Sequence, residues 1–410
     1  MPRGTKADLN VPEQSQSKGW TPRKRLLTAF GGGVSDRVPV NTYELAGFDS
    51  ADWYNRQPAY KRLMDRIRAE TDCITNWNPA IRPVSGTAEA TAASATSYLD
   101  HSLAESGAPV PVERKVERDG VRKRVIEIAH TPLGAVQRVV QTEEGVNTIW
   151  QVEHWCKNLD DVDRVLSIPF EPLRYDAADL ARVRGELGDR GLVMASLSDP
   201  AYIAADLMSM ENFLLWAFGE KDHFARTVDV IGERVAENLK SQLATCVVDA
   251  YRICGPEYFT PPYHRPSMFE RFVVPHVKEM VGLIHEAGAL ARVHCHGKIG
   301  QVLDKIIATG CDGVDPCEAP PAGDITLGAV KERCHSAGVS VWGTMPLEML
   351  EFASRGEIRR HVAACMEQAK AGGGYIFLPC AAPINRDLSA HTASNYMTMI
   401  DAALEFGVYE

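Results

Sequence analysis

The sequence has no run of eighteen apolar residues, no CxxC pair and no long cluster of Lys and Arg residues. The first absence predicts that no segment crosses a membrane, and the polar residues 1–20 show no signal-peptide core. Without an export signal, most of the ten scattered cysteines are expected to be buried thiols of a cytoplasmic protein. Lys and Arg total 44 against 54 Asp and Glu, and the net charge of −10 argues against nucleic acid and anionic membranes as partners.

The chain also lacks a GxGxxG turn between a strand and a helix. This absence argues against an open doubly wound sheet, which stays the alternative to the architecture preferred below. Eight short strand-like segments occur instead, near residues 38, 72, 192, 248, 290, 312, 340 and 375. All but the second are followed directly by a helical pattern. Eight such units predict an α/β protein with a single closed (β/α)₈ TIM barrel.

Helices are predicted from apolar residues spaced three and four apart. The clearest contains Val277, Met280, Val281 and Ile284, and Gly288 ends it. The remaining helical patterns cover about 57–70, 200–218, 221–245, 298–309, 325–337, 347–371 and 388–405.

Two segments fall outside the barrel pattern. Residues 1–21 are polar and predict a flexible or interface-binding N-terminal arm, which leaves 22–410 as one barrel domain. Residues at about 84–150 include a stretch that alternates between apolar and polar side chains, with turn signals at Asp119-Gly120 and Glu144-Gly145. This pattern predicts an insertion of two β-hairpins after the second strand.

The strongest chemical signal is His294-Cys295-His296 at the end of the fifth strand. Residues i and i+2 of a strand point the same way, so the two histidines can share one metal ion. Cys380 follows the eighth strand and lies at the same end of a closed barrel. Two imidazoles and a thiolate suit Zn²⁺. The alternative is a histidine pair that only hydrogen-bonds the loops and a Cys380 that is a buried hydrophobe.

A loop rich in aromatic residues follows the fourth strand. Glu257, after a Gly-Pro turn, is predicted as a fourth metal ligand or a general base, and the alternative is a helix-capping or solvated carboxylate. His264 is the second catalytic candidate. Tyr258 and Tyr263 are predicted to line a substrate pocket.

Four more residues at strand ends are predicted to bind substrate: Tyr43, Asn76, Trp77 and Glu318. The aromatic members of this set, with those of the loop, would form an apolar pocket compatible with an aromatic ring.

Five segments carry a family resemblance: Gly255-Pro256-Glu257-Tyr258, Val274-Pro275, His294-Cys295-His296-Gly297-Lys298, Glu318-Ala319-Pro320-Pro321-Ala322-Gly323-Asp324 and Gly372-Gly373-Gly374-Tyr375-Ile376. Together they resemble the uroporphyrinogen decarboxylase superfamily, over roughly residues 150–405. More narrowly they resemble its corrinoid-linked zinc methyltransferases, of the methylcobalamin:coenzyme M and O-demethylase types.

The resemblance implies a zinc site made of a His-x-Cys pair after strand five and a Cys after strand eight. His294 and Cys380 match this pattern, whereas His296 stands where the family has a cysteine. The substitution keeps zinc-ligand chemistry but makes the site less thiolate-rich and the metal a stronger Lewis acid.

The implied activity is zinc-dependent transfer of a methyl group between a small methylated compound, with a methoxylated aromatic expected, and a corrinoid. No DxHxxG cobalamin motif occurs in the chain, so the corrinoid is expected on a separate partner protein. The sequence leaves the direction of transfer and the presence of a homodimer open.

Two other functions stay open. The first is a metal-independent decarboxylase of a small carboxylated substrate, in which His294 and His296 bind the carboxylate and Cys380 is inert. Against it, decarboxylases of the superfamily place arginines near the N-terminus, where this chain has Tyr43-Glu44. The second is a non-catalytic partner that binds a corrinoid protein.

Overall fold

The computed structural model describes residues 19–48, 53–82, 103–146, 148–383 and 387–409. Most of the predicted N-terminal arm, residues 1–18, and the first part of the predicted insertion, about 84–102, lie outside the described residues.

The described residues form thirteen strands: β1 (Cys73–Asn76), β2 (Ala80–Ile81), β3 (Val112–Asp119), β4 (Arg122–Thr131), β5 (Gly134–Glu143), β6 (Ile149–Glu153), β7 (Tyr175–Asp176), β8 (Gly191–Ser198), β9 (Ala250–Cys254), β10 (Leu290–His294), β11 (Gly313–Asp315), β12 (Ser340–Trp342) and β13 (Tyr375–Ile376). Seven of them make one parallel sheet in the order β1-β8-β9-β10-β11-β12-β13. These seven strands lie where the sequence predicts barrel strands two to eight.

Residues 38–41 close this sheet into a barrel. On one side Asn41 N donates to the carbonyl of Phe377 and Phe377 N donates to the carbonyl of Pro39. On the other side Asp72 N donates to the carbonyl of Val40. The N–H of Val40 donates to the Asp72 carboxylate at 2.8 Å instead of to a strand carbonyl, so this first strand of the barrel is irregular. The predicted (β/α)₈ barrel is confirmed. Its first strand is a short segment that makes bridging hydrogen bonds to its neighbours on both sides and is not a regular strand.

A separate antiparallel sheet is formed by residues that lie in the chain between β1 and β8, the second and third strands of the barrel. Its order is β3-β4-β5-β6, with turns at the two predicted positions and a third turn between Thr131 and Gly134. The buried residues Val125, Ala129 and Val136 lie on its inner face. The short strands β2 and β7 pair with each other in an antiparallel arrangement.

The described residues also form fifteen α-helices: α1 (Pro22–Phe30), α2 (Trp53–Arg56), α3 (Lys61–Glu70), α4 (Leu159–Leu166), α5 (Leu180–Leu187), α6 (Pro200–Leu207), α7 (Met210–Gly219), α8 (Lys221–Thr245), α9 (Pro266–Phe272), α10 (Val274–Glu286), α11 (Leu303–Ala308), α12 (Leu327–Ser336), α13 (Leu347–Phe352), α14 (Arg355–Ala369) and α15 (Ala390–Phe406). None of them is both long and apolar enough to cross a lipid bilayer. In α10 the four predicted core residues, from Val277 to Ile284, are buried. All ten cysteines are free and nine are buried, as the sequence predicts.

Candidate functional site

Polar side chains of three neighbouring strands meet at the carboxyl ends of β9, β10 and β11. Strand pairing sets Arg252 beside Arg292. It also sets His294 between Cys254 and Asp315. All five residues are buried. Since residues two apart on a strand share a face, the two arginines lie directly below the layer that contains His294.

His294 is held by the carboxylate next to it. Its Nδ1 lies 2.8 Å from Oδ2 of Asp315, and its Nε2 lies 3.5 Å from the hydroxyl of Tyr43. Burial lowers the pKa of His294 to about 3, so the imidazole is neutral. Arg292 and His294 outweigh the effect of burial on Asp315 and hold the pKa of that carboxyl well below its ordinary value. An ionised Asp315 accepts a hydrogen bond from Nδ1–H, which leaves a lone pair on Nε2.

His296 has an equivalent carboxylate partner. Its Nδ1 lies 3.2 Å from Oε2 of Glu318, which also accepts the N–H of Gly297 at 2.8 Å. Burial disfavours the imidazolium, but Glu318 and Glu257 outweigh it and raise the pKa of His296. The rings of His294 and His296, called the histidine pair below, lie edge to face with centroids 4.6 Å apart. The structure therefore brings both predicted histidines together.

Glu257 lies in the 3₁₀ turn Pro256–Phe259 that follows β9. Within the described ranges, its buried Oε2 atom has no hydrogen-bond partner. Burial raises the pKa of Glu257, and His296 acts in the opposite direction. The turn depends on Gly255, whose φ is +120° and whose position would bring a Cβ within 2.5 Å of an Asp199 oxygen. A buried oxygen without a partner is costly, so Glu257 is suited to accept a ligand atom or a proton.

Cys380, the third predicted metal ligand, follows β13 and is buried. Burial raises the pKa of its thiol to about 11, and the nearby Glu318 carboxylate contributes in the same direction. In the part of the chain that the structure describes, no group of three His, Cys, Asp or Glu side chains is arranged to hold a metal ion. The structure thus brings His294 and His296 together, and no hydrogen bond joins Cys380 to either imidazole among the described residues.

The predicted substrate residues are not all in one place. Tyr43 and Glu318 contact the histidine pair. Trp77 is buried and its indole N–H donates to Asp179 at 3.0 Å, while Asn76 ends β1. The loop tyrosines differ from each other: Tyr258 packs against Tyr202 and Phe213, whereas Tyr263 is 46% exposed.

His264 lies in an aromatic cluster. Its ring stacks on Phe259 with centroids 4.7 Å apart, and Phe213 and Phe218 lie at 5.5 Å. Neither ring nitrogen has a hydrogen-bond partner among the described residues. Burial lowers the pKa of His264 to about 4. These contacts favour a packing role over the catalytic role predicted from the sequence.

The two roles of His264 predict different results for His264→Phe. Because the folded pKa lies below the ordinary value of 6.5, only the unfolded chain takes up the proton between about pH 6.5 and 4, and the wild type loses stability there. His264→Phe is expected to remove this part of the pH dependence, measured as the free energy of unfolding in urea at pH 7 and 4.5. Catalytic activity is expected to stay within a few-fold of the wild type. A loss of 100-fold or more in a stably folded variant would instead assign His264 to catalysis.

Two residues of the site, Arg252 and Arg292, were missed as candidates in the sequence. Arg292 packs its guanidinium over Trp342 at 4.4 Å and pairs with Asp315 through Nε at 3.0 Å. The available signal was a charged residue inside a short apolar strand, as in AYRIC and LARVH. Arginine is rarely buried unless it has a partner or a ligand.

Comparisons with known proteins agree with this fold and with the resemblance found in the sequence. Residues 139–393 match the family model described as uroporphyrinogen decarboxylase (URO-D). Two curated relatives, each a methylcobamide:CoM methyltransferase MtaA from Methanosarcina barkeri, are 22% identical over 132 residues. That alignment covers 32% of this chain and 38% of the relatives, so the chain matches well under half of their length.

A solved structure of a methyltransferase from Methanosarcina mazei has a similar fold. The superposition has a TM-score of 0.56, with 16% sequence identity, and covers 95% of this chain and 99% of that one.

Proposed function

Because the chain belongs to the uroporphyrinogen decarboxylase family, we propose that it is a methyltransferase of the corrinoid-linked branch. It would move a methyl group between a small methylated compound, a methoxylated aromatic, and a corrinoid carried by a separate protein. The similarity to methylcobamide:CoM methyltransferases supports this proposal. The observation that carries it is the histidine pair, in which each Nδ1 faces a carboxylate.

The donor set fits a zinc ion. Metal-binding histidines usually donate their second ring N–H to a carboxylate, which fixes the ring and makes the other nitrogen a better ligand. Asp315 and Glu318 stand in this position for His294 and His296. We assign the two imidazoles and Cys380 as ligands, with Glu257 as the fourth ligand or the base. Among the described residues no group of three such side chains is arranged to hold a metal ion, so the assignment of Cys380 rests on its match to the family pattern.

When bound, zinc supplies a Lewis acid that stabilises the phenolate, alkoxide or thiolate that leaves as the methyl group departs. The side chains of the protein orient the ligands, accept a proton and cover the site. Asp315 and Glu318 orient the imidazoles, Glu257 offers a buried oxygen that accepts a proton, and Tyr43 covers the pair from one side. In the transfer, the bond between the methyl carbon and oxygen or sulfur would break with its electron pair left on the heteroatom, and the co-substrate, a reduced Co(I) corrinoid, would supply the electron pair of the new bond to carbon.

Elemental analysis and a methyl-transfer assay test this function together. We expect about one zinc per purified chain, and formation of methylcobalamin from free cob(I)alamin and a panel of methoxylated aromatic and thiomethyl compounds. Both His294→Ala and Cys380→Ala are expected to lose the zinc and at least about 100-fold in rate. Cys246→Ala, which removes a half-buried thiol outside the site, is the matched control and should keep both.

A metal-independent decarboxylase is the second candidate, since the matched family is named for one. The buried guanidinium of Arg252 favours it, because that group can hold a substrate carboxylate. Release of CO₂ from a small carboxylated aromatic by metal-free protein, unchanged in Cys380→Ala, would replace the methyltransferase proposal with this one.

A further inference from the structure

Arg252 is a buried cation whose hydrogen-bonding capacity is mostly unused. Its side chain is 5% exposed. Within the described ranges its guanidinium makes one hydrogen bond, from Nε to the sulfur of Cys254 at 3.0 Å. An arginine carries five N–H donors in a planar fork. Most of these donors lack a protein acceptor in the described structure, although burying them without partners is costly.

Arg292, the strand neighbour of Arg252, differs from it in having a carboxylate close beside it. Its Nε lies 3.0 Å from Asp315, although without a hydrogen bond among the described residues, and its guanidinium lies against the face of Trp342. Asp315 is also the partner of His294. Asp315 therefore faces Arg292 and His294, and Arg252 has no carboxylate within hydrogen-bond distance among the described residues.

Glu44 is the nearest carboxylate to Arg252, but it does not satisfy the guanidinium. Its Oε1 lies 3.9 Å from Nη2, which is beyond hydrogen-bond distance. Burial raises the pKa of Glu44, and this favours its neutral form. The ring of Tyr43 lies on another side of the guanidinium, with its centroid 5.2 Å away. The surroundings of Arg252 thus combine a flat aromatic wall with an incomplete set of acceptors.

We propose that Arg252 binds one oxyanion, a carboxylate or sulfonate, of the small molecule whose methyl group is transferred at the histidine pair. A planar fork that lacks acceptors is matched by a group with two or three equivalent oxygens. The inference rests on the proposed function for the identity of the ligand. One anionic group of the ligand is assigned to the guanidinium of Arg252.

The position of Arg252 also limits the size of this ligand. Its guanidinium reaches Cys254, which pairs across the strands with His294. Neighbouring strands lie about 4.8 Å apart. The oxyanion would therefore sit about one strand spacing from the histidine pair, so the anionic group and the reacting methyl group are separated by a few bonds or by one aromatic ring.

Three ligands that differ in one group test the inference by isothermal titration: 4-methoxybenzoate, 4-methoxybenzenesulfonate and the uncharged 4-methoxybenzamide. In the wild type at least one of the two anions is expected to bind about 10- to 100-fold more tightly than the amide, the range of a charge-assisted hydrogen-bond pair. The preferred anion identifies the group. Absence of saturable binding by either anion, or equal affinity for the amide, would overturn the proposal.

Two variants test whether the preference for the anion depends on Arg252. Arg252→Gln should bind the anion about 10- to 100-fold more weakly and the amide unchanged. Glu44→Gln should bind the anion as tightly as the wild type, because Glu44 lies beyond hydrogen-bond distance of the guanidinium. Arg333→Gln, a change at an ion pair on the surface, is the control and should match the wild type. If Arg252→Gln does not fold, the wild-type and Glu44→Gln titrations still test whether the protein prefers the anionic ligand to the amide. A protein that binds the anion through Arg252 but transfers no methyl group would uphold this inference and overturn the proposed function.

Discussion

If the histidine pair holds zinc as proposed, Asp315→Asn is expected to weaken zinc binding by about 10- to 100-fold and to slow methyl transfer by at least as much. The ionised Asp315 now receives the Nδ1–H of His294 and faces Arg292. An asparagine amide can present its NH₂ group to Nδ1, which would place the ring proton on Nε2 and remove the lone pair that a metal needs. Zinc affinity is measured by chelator competition and the rate by kcat/KM.

The same substitution also has a structural cost. It removes the negative charge beside the fully buried Arg292, and breaking a buried ion pair costs about 3–5 kcal/mol. Glu318→Gln is the matched control, because that carboxylate holds His296 in the same way but its side chain is 15% exposed against 0% for Asp315. A smaller loss of stability is therefore expected. If Asp315→Asn is destabilised but binds zinc like the wild type, Asp315 stabilises the barrel and does not position His294.

The barrel could be predicted because its strands are short, apolar and separated by helical patterns. The segment from Leu290 to His294 follows the periodic helix α10 and is buried, as expected for a parallel strand covered on both faces. The first strand of the barrel was also predicted, near residue 38, although this segment forms bridging contacts and not a regular strand. Its irregularity could not be predicted, because it comes from Asp72, an acceptor more than thirty residues away.

Helix ends were less predictable where a cap lies inside a continuous helical pattern. The predicted helix over 347–371 is two helices, because Ser354 caps α14 and forms a capping box with Glu357. Similarly, Ser209 caps α7 and divides the pattern predicted over 200–218. In both places the apolar spacing continues across the break, so only the local hydrogen bonds of the serine reveal it.

The site residues also divide into those whose positions follow from sequence spacing and those whose positions depend on the tertiary structure. The spacing of His294 and His296 is local, and the strand places both rings together as predicted. The distance from either ring to Cys380 depends on how β10 and β13 are set around the barrel, which no sequence spacing encodes. Arg252 was missed because its apolar neighbours made β9 look like an ordinary core strand.

Asp72→Ala is expected to lower the free energy of unfolding by about 3–5 kcal/mol, the cost of breaking a buried ion pair. The Asp72 side chain is 0% exposed and accepts from Arg25 and Arg37 at 2.6 Å. It also accepts the N–H of Val40. Removing it leaves two partly or fully buried guanidinium groups with fewer acceptors and one backbone donor without any. Urea denaturation measures the loss.

Asp36→Asn is the matched control for Asp72→Ala. Asp36 is the other partner of Arg25, but its side chain is 38% exposed, so a loss of at most about 1 kcal/mol is expected. Equal losses in the two variants would show that burial of Asp72 adds nothing. Because Asp72 joins residues 38–41 to β1, its loss should also open the barrel at this seam. The amide hydrogens of Val40 and of residue 72, which donate across this seam, are then expected to exchange faster than those within β9 and β10.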